Sequence, residues 1–199
     1  MNLKDYRTLF AVATLGLIFM VAFPTLSLIV AFPGGAERFS ELWVLDPNRM
    51  VEGYPFNIHV GEEYRVFVGV GNHLGSSSYY MVCVKFRNQS QPFPDASNSM
   101  PSPLAPLFEF RFFIMDGESW EIPLVFMFVE VLGLEGSCLV RRIMINDLVF
   151  SVDSPSRWDS ENNGFYYQLF FELWLYDLTS HSFRFHDRFV GIWLNVTGS

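Results

Sequence analysis

Phe165-Tyr166-Tyr167-Gln168-Leu169-Phe170-Phe171-Glu172-Leu173-Trp174-Leu175-Tyr176-Asp177 is the stretch that decides the fold class. Side chains of a strand point alternately to opposite faces, so Phe165, Tyr167, Leu169, Phe171, Leu173 and Leu175 share one side. The opposite side carries Tyr166, Phe170, Trp174 and Tyr176 beside Gln168 and Glu172. Both sides are apolar. One face of a sandwich sheet lies in its own core, so the second needs a separate cover. Two covers fit: segments of the same chain near 91–106 or 133–163, or a partner subunit or membrane surface.

The segment 124–131 repeats the pattern, with Leu124, Phe126 and Phe128 opposing Val125, Met127, Val129 and Val131. In 78–87, Tyr80, Val82, Val84 and Phe86 oppose Met81, Lys85 and Arg87, which reads as one face on a core and one in water. Working outward, alternation predicts strands at 39–45, 64–71, 78–87, 107–115, 121–131, 139–150, 165–177 and 183–196. Turn formers such as Asp46-Pro47-Asn48 and Asp116-Gly117 separate them. The expectation is an all-β, two-sheet β-sandwich spanning 39–199, with insertions near 91–106 and 133–163.

The N-terminal part differs. From Thr8 to Phe32 no residue is charged, a run longer than the roughly 20 residues an α-helix needs to cross the hydrocarbon core. Lys4 and Arg7 precede it and Glu37 follows it, which places residues 1–7 in the cytoplasm and the β-domain outside. The apolar run is too long for a cleaved signal's usual core of about 7–15 residues, so one uncleaved transmembrane helix over 8–32 is expected. Pro24 predicts a bend within it, and Pro33-Gly34-Gly35 opens a hinge over 33–38.

Composition narrows the function classes. The chain has 199 residues, which suits one domain plus an extra segment, and only 17% are charged, below the roughly 25% of ordinary soluble domains. Its formal charge of -8 and its lack of Lys/Arg clusters argue against nucleic acid. The aromatic share of 18% is high and suits buried interfaces as well as cores.

Chemistry-bearing patterns are sparse. There is no Gly-x-Ser-x-Gly, no phosphate-cradling glycine loop and no Cys set beside a His and an acid. His181, His186 and Asp187 lie close in sequence, but alternation sends the two imidazoles to opposite faces unless a turn intervenes. No enzyme activity, metal or cofactor is expected. Trp43, Trp120, Trp158 and Trp193 read as core or turn-packing residues. Cys83 and Cys138 would either pair outside the cytoplasm or remain thiols, and Cys83 falls on the face opposite Val82 and Val84. Asn88-Gln89-Ser90 and Asn195-Val196-Thr197 are N-glycosylation sequons, with Asn88 and Asn195 expected at accessible positions.

Several segments resemble a known family: Glu37-Arg38-Phe39-Ser40-Glu41-Leu42-Trp43-Val44-Leu45, Glu52-Gly53-Tyr54-Pro55, Val60-Gly61-Glu62 and Val68-Gly69-Val70-Gly71-Asn72-His73. Asp116-Gly117-Glu118-Ser119-Trp120-Glu121, Leu173-Trp174-Leu175-Tyr176 and Ile192-Trp193-Leu194-Asn195-Val196 agree with it. The stretch 37–196 is similar to the outer domain of an archaeal family of membrane proteins classified only as a domain of unknown function. The resemblance implies an immunoglobulin-like sandwich and no activity. Members often carry several membrane helices before the domain, where this chain has one, and 91–106 and 133–163 look like additions.

The expected function is that of an accessory or structural subunit of a membrane or cell-surface protein complex. Its outer domain would dock through Tyr166, Phe170, Trp174 and Tyr176, with Val125, Met127 and Val129 from the other two-faced strand. A surface-anchored domain recognising sugars or cell-envelope polymers is the alternative, distinguished by aromatics set in a concave groove with polar neighbours.

Overall fold

The computed structural model describes residues 6–7, 10–20, 22 and 37–196. The chain divides into two compact units, residues 1–38 and 39–199. In the first, residues 10–20 are helical and their apolar side chains, Phe10, Leu15, Phe19 and Met20 among them, are exposed. Thr14 Oγ1 donates to the Phe10 carbonyl at 2.7 Å, within that helix. Among the described residues no helix is long and apolar enough to cross a membrane. Much of the expected 8–32 span, Pro24 included, and residues 33–36 of the expected hinge lie outside the described residues.

The second unit is a β-sandwich. Its strands are β1 (Phe39–Leu45), β2 (Asn57–Ile58), β3 (Glu63–His73), β4 (Ser78–Asn88), β5 (Phe108–Ile114), β6 (Ser119–Leu134), β7 (Ser137–Ile145), β8 (Leu148–Arg157), β9 (Tyr166–Asp177) and β10 (Ser182–Val196). A 3-10 turn, η1 (Ala96–Asn98), interrupts the β4–β5 connection. The first sheet runs β1-β3-β6-β7-β8 and the second β2-β10-β9-β4-β5. All neighbours are antiparallel except β2, which pairs in parallel with the end of β10 through Asn195↔Asn57 and Val196↔Ile58.

The period of two in the sequence builds the core. Val66, Val68 and Val70 of β3 and Leu124, Phe126 and Phe128 of β6 face Tyr80, Val82, Val84 and Phe86 of β4 and Tyr167, Leu169, Phe171 and Leu173 of β9. Phe86 stacks on Tyr167 at 5.3 Å between centroids, and Phe128 meets Phe86 edge-on at 5.6 Å. Tyr167 is fully buried and its hydroxyl donates to the Cys138 carbonyl at 2.7 Å, which satisfies the one polar atom this ring brings inside. On the outside of the first sheet the Trp43 indole lies over Gly69, where a Cβ would come within 2.2 Å of the ring.

The expected strand 139–150 is two strands. Asn146 and Asp147 have φ of 46° and 66°, the left-handed pair of a tight two-residue hairpin, and Asn and Asp tolerate that region better than other non-glycine residues. Apolar residues on both sides of the turn mask it in the sequence. The 133–163 stretch therefore adds the β7–β8 hairpin to the edge of the first sheet, and it touches the outer face of the second at Tyr166, whose hydroxyl donates to the Asn162 carbonyl.

Candidate interaction surface

The outer face of the second sheet is read most simply as rows crossing β5, β4, β9 and β10. The ladders pair Phe113 with Tyr79 and Tyr176 with Phe183, a ring contact at 5.9 Å joins Tyr79 to Tyr176 to complete that row, and Arg111, Met81, Trp174 and Phe185 form the next. Glu109, Cys83, Glu172 and Phe189 follow. Beyond them come Lys85, Phe170 and Gly191, and then Arg87, Gln168 and Trp193.

The chain's own β4–β5 connection covers the later rows. Phe93 packs edge-on against Phe170 at 5.4 Å and Phe189 at 4.7 Å, and the Arg87 guanidinium lies 4.8 Å over the Phe93 ring. Arg87 also donates to the Gln91 carbonyl. Asp95 caps η1 by accepting from the Ser97 and Asn98 amides, so the connection has a rigid turn of its own. Its anchor is electrostatic. Lys85 Nζ lies 2.8 Å from Glu172 Oε2 and donates to the Ser102 carbonyl at 2.7 Å, while the Ser102 amide donates to Glu172 Oε1 at 2.7 Å. Trp174 Nε1 adds a fourth contact, donating to Glu172 Oε2 at 3.2 Å.

Three expectations change accordingly. Phe170, 0% exposed, and Tyr166, also buried, are enclosed by their own chain and are not available to a partner. Lys85 and Arg87 do not face water, because the connection closes over them. Of the two covers weighed for this face, the 91–106 segment is the one that covers these rows.

The first two rows stay open except at Met81, which is buried. Phe113 is 75% exposed, and Tyr79, Trp174, Tyr176, Phe183 and Phe185 are half-buried. Tyr79 stacks on Phe113 at 4.3 Å and 15°. Phe183 reaches back to Tyr79 at 5.1 Å and meets Tyr176 at 5.3 Å, and Trp174 packs edge-on against Phe185 at 5.9 Å. The Arg111 guanidinium sits 5.5 Å over Phe183. An open cleft of about 900 Å³ borders these rings, with Leu74, Tyr79, Phe113, Tyr176, Phe185 and His186 in its walls. Trp174 and Tyr176 were legible in the sequence. Tyr79, Phe113, Phe183 and Phe185 were missed because cross-strand register groups them, and no single strand shows that.

The remaining site residues fall elsewhere. Val125, Met127 and Val129 are half-buried on the outer face of the first sheet, where Arg65 and Glu63 of β3 flank the first two. Asn88 and Asn195, expected to be accessible, are each 5% exposed. Asn88 Oδ1 accepts from the Ser90 and Gln91 amides and its Nδ2 donates to the Pro155 carbonyl. Asn195 Oδ1 accepts from the Phe165 amide, and its Nδ2 donates to Asn57 Oδ1. Both amides serve as internal braces.

Cys83 and Cys138 are free, buried thiols. Cys138 belongs to the core between the sheets, whereas Cys83 lies in the covered outer row beside Glu172, so the pairing left open by the sequence does not form. Burial pushes the Cys83 thiol up to about 12, with Glu109 adding to the effect, and a thiol held protonated is a poor nucleophile. His181 occupies the β9–β10 turn at φ 51°, and His186 bonds Ser40 Oγ at 3.0 Å. Among the described residues no group of three or more His, Cys, Asp or Glu could hold a metal ion.

Comparison with known proteins gives one family. No curated protein matches the sequence. The matched stretch runs from residue 33 to residue 130, about half of the chain, and takes in β1 to β5 and most of β6; Trp174, Tyr176, Phe183 and Phe185 lie beyond it. Residues 33–130 match the family described as a domain of unknown function, DUF1616.

Proposed function

We propose that this chain is a non-enzymatic, single-pass membrane protein that serves as an accessory or structural subunit of a membrane or cell-surface complex. Residues 8–32 are its anchor, and an immunoglobulin-like β-sandwich on the outer face docks on a partner through Tyr79, Phe113, Trp174, Tyr176, Phe183 and Phe185. The uncharged run from Thr8 to Phe32, with Lys4 and Arg7 before it, supports the anchor and its orientation. Strand order supports the immunoglobulin-like reading: β1, β3 and β6 are adjacent as A, B and E are, and β10, β9 and β4 are adjacent as G, F and C are. On this reading β7 and β8 extend the first sheet beyond the E position.

One observation carries the docking surface. The chain covers the apolar rows around Phe170 with its own loop, yet leaves two neighbouring aromatic rows open beside a cleft. Binding hot spots are enriched in Trp, Tyr and Arg, and this surface presents Trp174, Tyr79 and Tyr176 with Arg111 over Phe183. The test is purification of the full chain from its native membrane in mild detergent. A stoichiometric co-purifying protein supports the reading, and a lone chain at every detergent concentration contradicts it.

A second reading, recognition of sugars or cell-envelope polymers, rests on a shallow groove lined by Phe56, Gln89, Asn162, Tyr166 and Trp193. Trp193 is 42% exposed and has amide side chains for neighbours, which is how ring stacking and hydroxyl hydrogen bonding combine. Binding of envelope polysaccharide, followed by tryptophan fluorescence and abolished by Trp193→Ala, would favour it.

A further inference from the structure

The sheets of the sandwich end in strand edges of unequal character. β2 is two residues long, and β8 is bent by Asp153 at φ 40° and contains Pro155. Arg188 bonds the Ser40 carbonyl of β1 at 3.3 Å, and β10 beyond the reach of β2 is bulged between Phe185 and Arg188. Such devices keep edges from pairing with other chains. β5 has none of them. Its sequence Phe-Glu-Phe-Arg-Phe-Phe-Ile contains no proline or glycine, and its ladder with β4 runs without a shift from Ser78↔Ile114 to Val84↔Phe108. Among the described strands only β4 pairs with it, which leaves the other side of its backbone unpaired.

The charges on this edge complement themselves. Glu109 and Arg111 project from the same outer face and form an ion pair at 2.6 Å within the strand, both partly exposed. An antiparallel copy of β5 related by a two-fold axis through Phe110 would set Glu109 opposite the second copy's Arg111, and Arg111 opposite its Glu109. Within β5, Phe108 faces Phe112 and Phe110 faces Phe110, while Phe113 and Ile114 reach past the strand's start to Leu107 and Pro106. Moving the axis to Arg111 or to Glu109 sets a like-charged pair on the axis, moving it to Phe108 or Phe112 leaves both charges without an opposite cross-strand partner, and an axis midway between residues sets inward side chains against outward ones. Only the register about Phe110 gives both charges an opposite partner.

We infer that β5 is a self-pairing edge, and that a second copy of this chain docks on it antiparallel about Phe110 to join two second sheets into one continuous sheet. The contact goes beyond the docking reading above, because it rests on the strand's backbone edge and on Glu109 paired with Arg111, the one residue it shares with the open aromatic rows. A symmetric contact of this kind is isologous and closes at two copies.

Charge exchange in the full-length protein in detergent tests it, with mass measured by light scattering across a concentration series and folding checked by circular dichroism. The unaltered chain is expected to dimerise. Glu109→Arg and Arg111→Glu should each weaken the dimer about tenfold or more, since each converts both cross-strand attractions into repulsions. The double variant Glu109→Arg/Arg111→Glu restores the complementarity and should recover dimerisation. Trp174→Ala, which the docking reading expects to lose its partner, should keep the dimer. A monomer at all concentrations, single variants that dimerise like the unaltered chain, or a folded double variant that stays monomeric would each overturn the inference.

Discussion

Lys85 Nζ and Glu172 Oε2 are 2.8 Å apart beneath the β4–β5 connection, with side chains 4% and 0% exposed. A buried pair is expensive to desolvate and is favourable only when its remaining hydrogen-bonding capacity is used. Here the Ser102 amide, the Ser102 carbonyl and Trp174 Nε1 use it, so the ion pair is also the fastening of the loop. Removing one charge leaves the other uncompensated. Lys85→Met should destabilise the β-domain by about 3–5 kcal/mol, and Lys85→Met/Glu172→Leu by less than that single change. Denaturant unfolding followed by tryptophan fluorescence checks the order; a single variant as stable as the unaltered chain would mean that the loop does not enclose the pair.

Asn88 ties the start of the same loop to β8 by accepting from the Ser90 and Gln91 amides and donating to the Pro155 carbonyl. Asn88→Ala strands buried donors and an acceptor and should cost about 1–3 kcal/mol. The same bonds predict that folded protein carries no glycan at Asn88. Peptide mass mapping after expression in a glycosylating host checks it, and a fully glycosylated Asn88 in folded protein would contradict the placement.

His186 is held below its ordinary value of 6.5 by burial first and by Arg188 second, with Asp187 opposing them. In the unfolded chain the imidazole takes up its proton at a higher pH than in the fold. The unfolded state therefore binds more protons in that window, and stability falls as the pH drops from 6.5 toward the lower folded value. His186→Gln should flatten this part of the stability profile while leaving the slope above pH 7 unchanged. Parallel unfolding series at graded pH give the comparison, and an identical acid slope in both proteins would contradict it.

Strand positions and the core face were legible because alternation survives in the sequence: Tyr80, Val82, Val84 and Phe86 face inward as expected, and 39–45 is β1 to the residue. Information carried between strands was not legible. Lys85 and Arg87 look like a solvated face until the ladder sets Glu172 diagonally across from Lys85, one row away beside Cys83, and a distant loop closes above both. Asn195 alternates onto an outward face, but β2 and the Phe165 amide occupy that side. The Asn146-Asp147 hairpin lacks the glycine that usually marks such a turn. For the open surface, Trp174 and Tyr176 could be read from one strand, while Phe113 and Phe183 required the ladder.

The central claim is that the open aromatic rows bind a partner and do not hold up their own fold. Truncating a hot-spot aromatic costs about 2 kcal/mol or more in binding, whereas emptying a core site costs roughly 3–5 kcal/mol in stability. The most direct measurement is co-purification of the full chain from native membranes as Phe113→Ala and Trp174→Ala variants, with the unfolding midpoint of the β-domain recorded alongside. The account predicts that both variants lose the co-purifying partner; Phe113→Ala keeps the unaltered midpoint, and Trp174→Ala falls slightly through its bond to Glu172. Retention of the partner by both variants, or unfolding of the domain by Phe113→Ala, would contradict it.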